Sequence, residues 1–137
     1  MEDELYIAAR EFLEKRFGQD VLWVGACAVR LSNGEILTST GFQEIPNEAA
    51  RLCHETGAIC EAYNRNHAIT DFLCISRNDK LEYEILPPCG ICQERLFYWG
   101  PNISVAVPSL PSNTNWHYEP LDKIQPYYWY KPYDKNA

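Results

Sequence analysis

Long hydrophobic runs are missing from the 137 residues. The longest uninterrupted apolar stretch is only a few residues, far short of the ~20 that a transmembrane helix needs, so no membrane partner is expected. Positive charge is also scarce. Twelve Lys and Arg stand against 19 Asp and Glu, and 12 − 19 gives −7; without a basic stripe to meet phosphates, nucleic acid is excluded as the main partner. Met1 is followed by acidic residues rather than by a basic and then apolar leader, so no secretory signal is visible and a cytoplasmic location is expected. Repeats, low-complexity linkers and composition breaks are lacking too. The expectation is a single domain over residues 1–137.

Apolar residues make up 46% of the chain, enough for one core, and they are patterned. Asp3 to Phe17 places Leu5, Ala9, Phe12 and Leu13 on one face of a helix that Gly18 ends. Val21–Leu31 reads as a strand, Asn33-Gly34 as a hairpin turn, and Glu35–Gly41 as the returning strand. A helix is expected from about Asn47 to Asn66, with Ala58, Ile59, Ala62 and Tyr63 on one face. Phe72–Ile75 reads as a strand buried on both faces, and Ser76–Glu84 as a loop. A third helix over roughly Gly90–Trp99 is closed by Gly100-Pro101. Ile103–Val107 is a further buried strand. From Ser109 onward the chain is rich in Pro, Asn and aromatics, with one short helical turn near Leu121–Gln125. The alternation implies an α/β domain of three layers.

Six cysteines are present: Cys27, Cys53, Cys60, Cys74, Cys89 and Cys92. Thiols in a reducing compartment do not pair, so these are core hydrophobes or metal ligands. Cys89 and Cys92, separated by Gly90-Ile91 at a helix start, aim both sulfurs at one point. Cys53, at another helix start, is the natural third ligand. Helix N-termini favour thiolate over thiol, and three protein ligands on zinc leave one position for water. Glu55, two residues after Cys53, can stand beside the metal without occupying it and shuttle a proton to a leaving amine. Metal, open position and proton shuttle together describe hydrolytic attack on an amidine-like carbon.

Cys53-x-Glu55, a gap of a few tens of residues, then Pro88-Cys89-x-x-Cys92 resembles the signature of the zinc-dependent cytidine deaminase superfamily. The likeness runs from Val24-Gly25-Ala26 to the aromatic tail. The segments Glu55–Ala62 and Cys92–Pro101 are similar to a branch labelled blasticidin-S-deaminase-like. The resemblance implies a three-layer α/β/α fold with a mixed sheet of about five strands. It also implies zinc on Cys53, Cys89 and Cys92, a proton shuttle at Glu55, and a homotetramer with shared active sites. The implied activity is deamination of a free pyrimidine nucleoside in nucleoside salvage, or of blasticidin S or a modified cytosine by the same chemistry.

Two positions depart from that pattern. Glu44 stands where family members hold ribose, but Phe42 occupies the place of its partner Asn; Asn47 is close enough in sequence to substitute. Thr56 replaces an Arg that offsets thiolate charge, a task open to Arg95, one turn after Cys92. Trp23 and the cluster Tyr127-Tyr128-Trp129-Tyr130, Trp129 in particular, are candidates to stack on a base or close the pocket, or else to cap the core. Ordinary readings compete at several positions. A structural zinc site would need a fourth ligand, and neither His54, pointing away from Cys53, nor Cys60, two turns deeper, suits it. Glu55 can also be read as a plain helix N-terminal acid, Glu44 as a solvated loop acid, and the whole chain as a non-catalytic zinc-stabilised binding protein. Cys27, Cys60 and Cys74 are expected in the core, and His67 and His117 on the surface without partners.

Overall fold

The structure is a computed structural model that describes residues 3–112, 114–128 and 131–133. Helix α1, Glu4–Phe17, starts where the Asp3 carboxylate accepts hydrogen bonds from the backbone N–H groups of Leu5 (2.9 Å) and Tyr6 (3.1 Å). It ends at Gly18, whose φ of 78° suits a residue without Cβ. Strands β1 (Gly25–Leu31) and β2 (Ile36–Ser39) form the hairpin expected at Asn33-Gly34. Residues 21–24, read as strand from their apolar character, have no regular structure.

The helix expected from Asn47 to Asn66 is broken. A 3-10 turn spans Glu48–Ala50, Arg51 is extended, and α2 runs only from Thr56 to Arg65. Asn66 closes α2 in the left-handed conformation, its N–H reaching the Ala62 and Tyr63 carbonyls. Strand β3 (Ile69–Arg77) is longer than its apolar centre. The loop after it contains a short strand, β4 (Tyr83–Ile85). Helix α3 covers Gly90–Leu96 and tightens to a 3-10 turn over Phe97–Trp99. Strand β5 (Ser104–Pro108) is followed by β6 (Trp116–Pro120), absent from the sequence reading, and by α4 (Leu121–Ile124). Pro and Asn disguise β6, but it lies at the sheet edge, where proline is tolerated.

The sheet is mixed and has six strands, in the order β2-β1-β3-β5-β6 with β4 on β3. Among the described residues only β3 and β5 pair in parallel. Alternation along the central strands builds two cores. Cys27, Val29, Phe72, Cys74 and Val105 face α2 and α3, with Ala58, Ala62, Cys92 and Leu96 opposite them. Ala26, Ala28, Leu73, Ile75 and Ala106 face α1 through Leu5, Ala9 and Leu13. This is the α/β/α sandwich of the sequence reading.

Three side-chain expectations need correction. Cys60 is exposed rather than in the core, because the turn of α2 that buries Ala58, Ile59 and Ala62 points residue 60 to solvent. Tyr63 is likewise mostly exposed and packs edge-on against Tyr98, with ring centroids 5.5 Å apart. His117 is exposed as expected, but the β5–β6 pairing gives it partners. Its Nδ1 lies 2.7 Å from Ser109 Oγ and its Nε2 lies 3.0 Å from Glu119 Oε1.

Candidate metal centre and active site

The site begins with a fold-back. Leu52 N–H donates to the Phe42 carbonyl at 3.2 Å, and Gln43 Nε2 donates to the Leu52 carbonyl at 2.6 Å. The chain leaving β2 is thereby laid against the chain entering α2. A Cβ on Gly41 would collide with the Leu52 carbonyl oxygen and stand 2.8 Å from both Cys53 C and His54 N. Only glycine permits that approach. Ser39 Oγ donates to the His54 carbonyl at 2.6 Å and accepts from Ala58 N–H at 3.1 Å, tying the first turn of α2 to the end of β2.

His54 points away from the cysteines. Its Nδ1 accepts from Gly41 N–H at 3.0 Å, so the proton of the neutral ring sits on Nε2. Nε2 lies where Gly25 leaves room; a Cβ there would meet it at 2.5 Å. Burial holds this imidazole below its ordinary pKa. His54 is thus a clamp between β1, the 40–44 loop and α2.

With His54 turned away, Cys53, Glu55, Cys89 and Cys92 converge. One ligand atom from each falls in a group whose members all lie within 4.8 Å of one another, and the Cys53 and Cys89 sulfurs are 3.5 Å apart. Glu55 occupies the N-cap position of α2, yet its side chain makes no capping hydrogen bond and is 5% exposed. An ordinary N-terminal acid would cap the helix or meet solvent. Cys89 begins α3. Burial alone would raise its thiol, but hydrogen bonds from the Cys92 and Ile91 backbone N–H groups and from the Cys53 thiol hold it below the ordinary value. Burial, then the Glu55 carboxylate, push the Cys92 thiol up; burial leads the rise at Cys53. Three sulfurs and a carboxylate oxygen packed so closely form a donor set that a cation could fill.

Arg95 reaches this cluster from α3. Its Nη1 lies 3.3 Å from Thr56 Oγ1 and 3.9 Å from Cys92 Sγ. A cation therefore stands beside the thiols although Thr56 follows the glutamate. Cys27 and Cys74 are buried beneath, their thiols raised by burial.

A cavity of about 320 Å³ is lined by His54, the residue between Cys53 and Glu55, but by none of the four clustered side chains; its size suits a small molecule. Trp23, Phe42 and Glu44 all line it, together with His54, Gln43 and Arg16. Trp23 and Phe42 are each 62% exposed. Trp23 has φ 58°, a conformation that costs a bulky residue about 1–2 kcal/mol. Asn47 does not line the cavity; its side chain accepts from Ala49 N–H at 3.1 Å and caps the 3-10 turn. Trp129 and Tyr130 lie outside the described residues. Of the tail aromatics that are described, Tyr128 packs on Phe97 with centroids 4.7 Å apart, and Tyr127 is almost fully exposed.

The sequence reading passed over Ser39, Gly41, Gly25 and Arg77, which position the site. A glycine just past the end of a strand is the signal available for Gly41. Nothing in the spacing of Ser39 or Arg77 marks either.

Comparison with known proteins places this geometry. No protein-family model and no curated protein sequence matches the chain. Among solved structures, the cytidine deaminase from Bacillus anthracis is 39% identical, with a TM-score of 0.84 over 95% of this chain and 90% of that one. Cytidine deaminases from Mycobacterium leprae (18% identity, TM-score 0.68, 89% of this chain and 94% of that one) and Burkholderia pseudomallei (15%, 0.67, 90% and 96%) share the fold. A likeness of 39% over nearly the whole length, in a fold that gathers the cysteines and glutamate of the motif into one cluster, means that the chain belongs to the cytidine deaminase superfamily.

Proposed function

We infer that the protein hydrolytically deaminates a free cytosine nucleoside, cytidine or deoxycytidine, to the uracil compound and ammonia, with zinc as its metal. The observation that carries the reading is the convergence of three thiols and a buried, non-capping carboxylate on one point, beside a cavity lined by Trp23, Phe42 and Glu44.

The donor set suits zinc. Zn–S bonds of ~2.3 Å in a tetrahedral arrangement put sulfurs ~3.8 Å apart, close to the 3.5 Å between Cys53 and Cys89. Cys53, Cys89 and Cys92 would hold the ion. Bound zinc supplies a Lewis acid that brings the ionisation of water near neutrality. The remaining work belongs to Glu55. Its carboxylate accepts a proton from the attacking water and passes one to ring N3 as the C4–O bond forms. It then takes the proton of the new C4 hydroxyl and delivers it to the exocyclic amine; the C4–N bond breaks, the C4 carbonyl forms, and ammonia leaves. Its burial keeps bulk water from competing for these protons. Arg95, 3.9 Å from Cys92 Sγ, offsets thiolate charge from α3. In the cavity, Trp23 offers a ring face to a base and Glu44 an acceptor to a hydroxyl.

A second reading, deamination of blasticidin S or of a modified cytosine, is favoured by Phe42. An aromatic ring lines the cavity where an amide would hold a ribose hydroxyl. A homotetramer with shared sites belongs to the same proposal, and sedimentation of the purified protein tests it.

Ammonia release by zinc-loaded protein decides between these readings. The panel is cytidine, deoxycytidine, cytosine, blasticidin S and N4-substituted cytosines, with Glu55→Gln as control. Release from cytidine that Glu55→Gln abolishes while zinc is retained supports a salvage enzyme. Release only from another member names the specialised reading. Zinc binding with silence across the panel refutes the substrate class and leaves a zinc-stabilised binding protein, which is indifferent to Glu55→Gln.

A further inference from the structure

Residues 21–24 form one wall of the cavity without regular structure, yet Trp23 within it holds φ 58°. A bulky residue stays in the left-handed region only where its surroundings fix it. Arg77, the last residue of β3, supplies that constraint. Its carbonyl accepts from Trp23 N–H at 2.7 Å and its N–H donates to the Val24 carbonyl at 2.9 Å. Its Nε donates to the Val21 carbonyl and its Nη1 to the Gly18 carbonyl, both at 2.9 Å. Nη1 also lies 3.5 Å from the Tyr83 hydroxyl, which donates to Glu14 Oε1 at 2.8 Å, so the clamp extends to α1.

The Arg77 side chain is 1% exposed. Among the described residues no carboxylate forms an ion pair with it, and its Nη2 has no hydrogen-bond partner. Burying a guanidinium so incompletely paired is costly, and an apolar side chain would avoid that cost. What the guanidinium adds is a planar fork of donors that gathers carbonyls three residues apart. Those carbonyls belong to the segment carrying Val21 and Trp23.

We propose that Arg77 is a positioning residue for substrate. It sets the Val21–Trp23 wall, and with it the Trp23 indole, and so governs how tightly the cavity holds an aminopyrimidine nucleoside. This rests on the cavity being the substrate site. Arg77→Met removes every side-chain donor; Arg77→Lys keeps one charged donor.

The test uses the zinc-loaded full chain. Steady-state kinetics with cytidine are paired with the indole N–H resonances, the Trp23 signal being assigned through Trp23→Phe. In Arg77→Met, KM is expected to rise at least fivefold with kcat within twofold of wild type and zinc content unchanged. Arg77→Lys falls between. The Trp23 resonance moves while those of Trp99 and Trp116 stay. The proposal is overturned by a folded Arg77→Met protein whose KM and Trp23 resonance are unchanged. Loss of kcat and zinc at constant KM overturns it too, as does failure of both variants to fold, since Arg77 is then only a core anchor. If wild-type protein turns over no cytidine, the substrate reading has failed instead. The Trp23 resonance then decides the positioning role alone.

Discussion

Gly41→Ala asks whether the fold-back at the end of β2 holds the metal cluster. The added Cβ would lie 2.8 Å from Cys53 C and His54 N, whereas ordinary contact begins at 3.4 Å. The residue 52–54 backbone must therefore retreat by about 0.6 Å, the difference of those two distances, and further at the Leu52 oxygen. Its freedom to do so is small. Gln43 holds the Leu52 carbonyl, Ser39 holds the His54 carbonyl, and Gly41 N–H itself holds the His54 ring. Metal–ligand distances tolerate about ±0.2 Å, so the displacement is about three times what Cys53 can absorb. Overpacking of this kind costs about 1–3 kcal/mol. With an unfolding entropy of about 0.29 kcal/mol/K for this length, that lowers Tm by ~3–10 °C. A misplacement approaching 1 Å costs on the order of 100-fold in rate. Zinc per chain, Tm and ammonia release on one preparation provide the assay. A Gly41→Ala protein with full zinc, unchanged Tm and wild-type turnover refutes the reasoning, because it shows that the fold-back yields without disturbing Cys53.

Gly90→Ala is the contrasting case. It sits between Cys89 and Ile91, but nothing lies within 4 Å of its added Cβ, so zinc and turnover should persist with a stability gain of up to ~1 kcal/mol, read as Tm. Cys92→Ser should abolish stoichiometric zinc, whereas Cys60→Ser, at an exposed position of α2, should leave zinc and activity unchanged; zinc loss in Cys60→Ser would point to a structural site. Chelation should lower Tm, since ligand at about 1,000 times Kd adds ~4.1 kcal/mol, worth ~10–15 °C here, and restored zinc should return it. Phe42→Asn should raise kcat/KM for cytidine by up to about tenfold, the worth of one hydrogen bond of ~0.5–1.5 kcal/mol; an unchanged value places the ribose away from residue 42.

The parts of this protein that can be read from the sequence depend on neighbours along the chain. The start of α1 at Asp3, its stop at Gly18 and the hairpin at Asn33-Gly34 follow from local backbone preferences, and the structure contains each. Cys53 with Glu55, and Cys89 with Cys92, are short spacings, and the fold brings the two pairs together. The readings that failed depended on distant contacts. The helix expected from Asn47 to Asn66 breaks because Gly41, Gln43 and Ser39 draw residues 52–54 onto the end of β2. No periodicity within residues 47–66 carries that information. Strand β6 was hidden because its apolar residues are Trp116 and Tyr118. Their alternation makes sense only beside Tyr6 and Asp3 of the distant N-terminus, where Trp116 stacks on Tyr6 and the Tyr118 hydroxyl meets the Asp3 carboxylate. His117 looked partnerless for the same reason. Ser109, just past the end of β5, reaches it through a pairing that the sequence reading did not contain.

That division explains why the reaction is easier to read than the substrate. The groups that would bind metal and move protons come from two helix starts, each a few residues long. The cavity wall instead combines the end of α1, the irregular 21–24 segment and the 40–44 loop. The last two are oriented by residues far away in sequence: Arg77 for Trp23, His54 for Gly41. Selectivity depends on that orientation. A site built to hydrogen-bond a hydroxyl rejects analogues lacking it by as much as 10⁴–10⁵-fold, whereas an apolar wall discriminates far less. With Phe42 lining the cavity beside Glu44, and Asn47 engaged in capping its own turn, this wall has fewer hydroxyl partners than a full ribose clamp. If this cavity is the substrate site, shape and ring stacking would decide what it accepts, and both would follow from how Arg77 and His54 hold the wall.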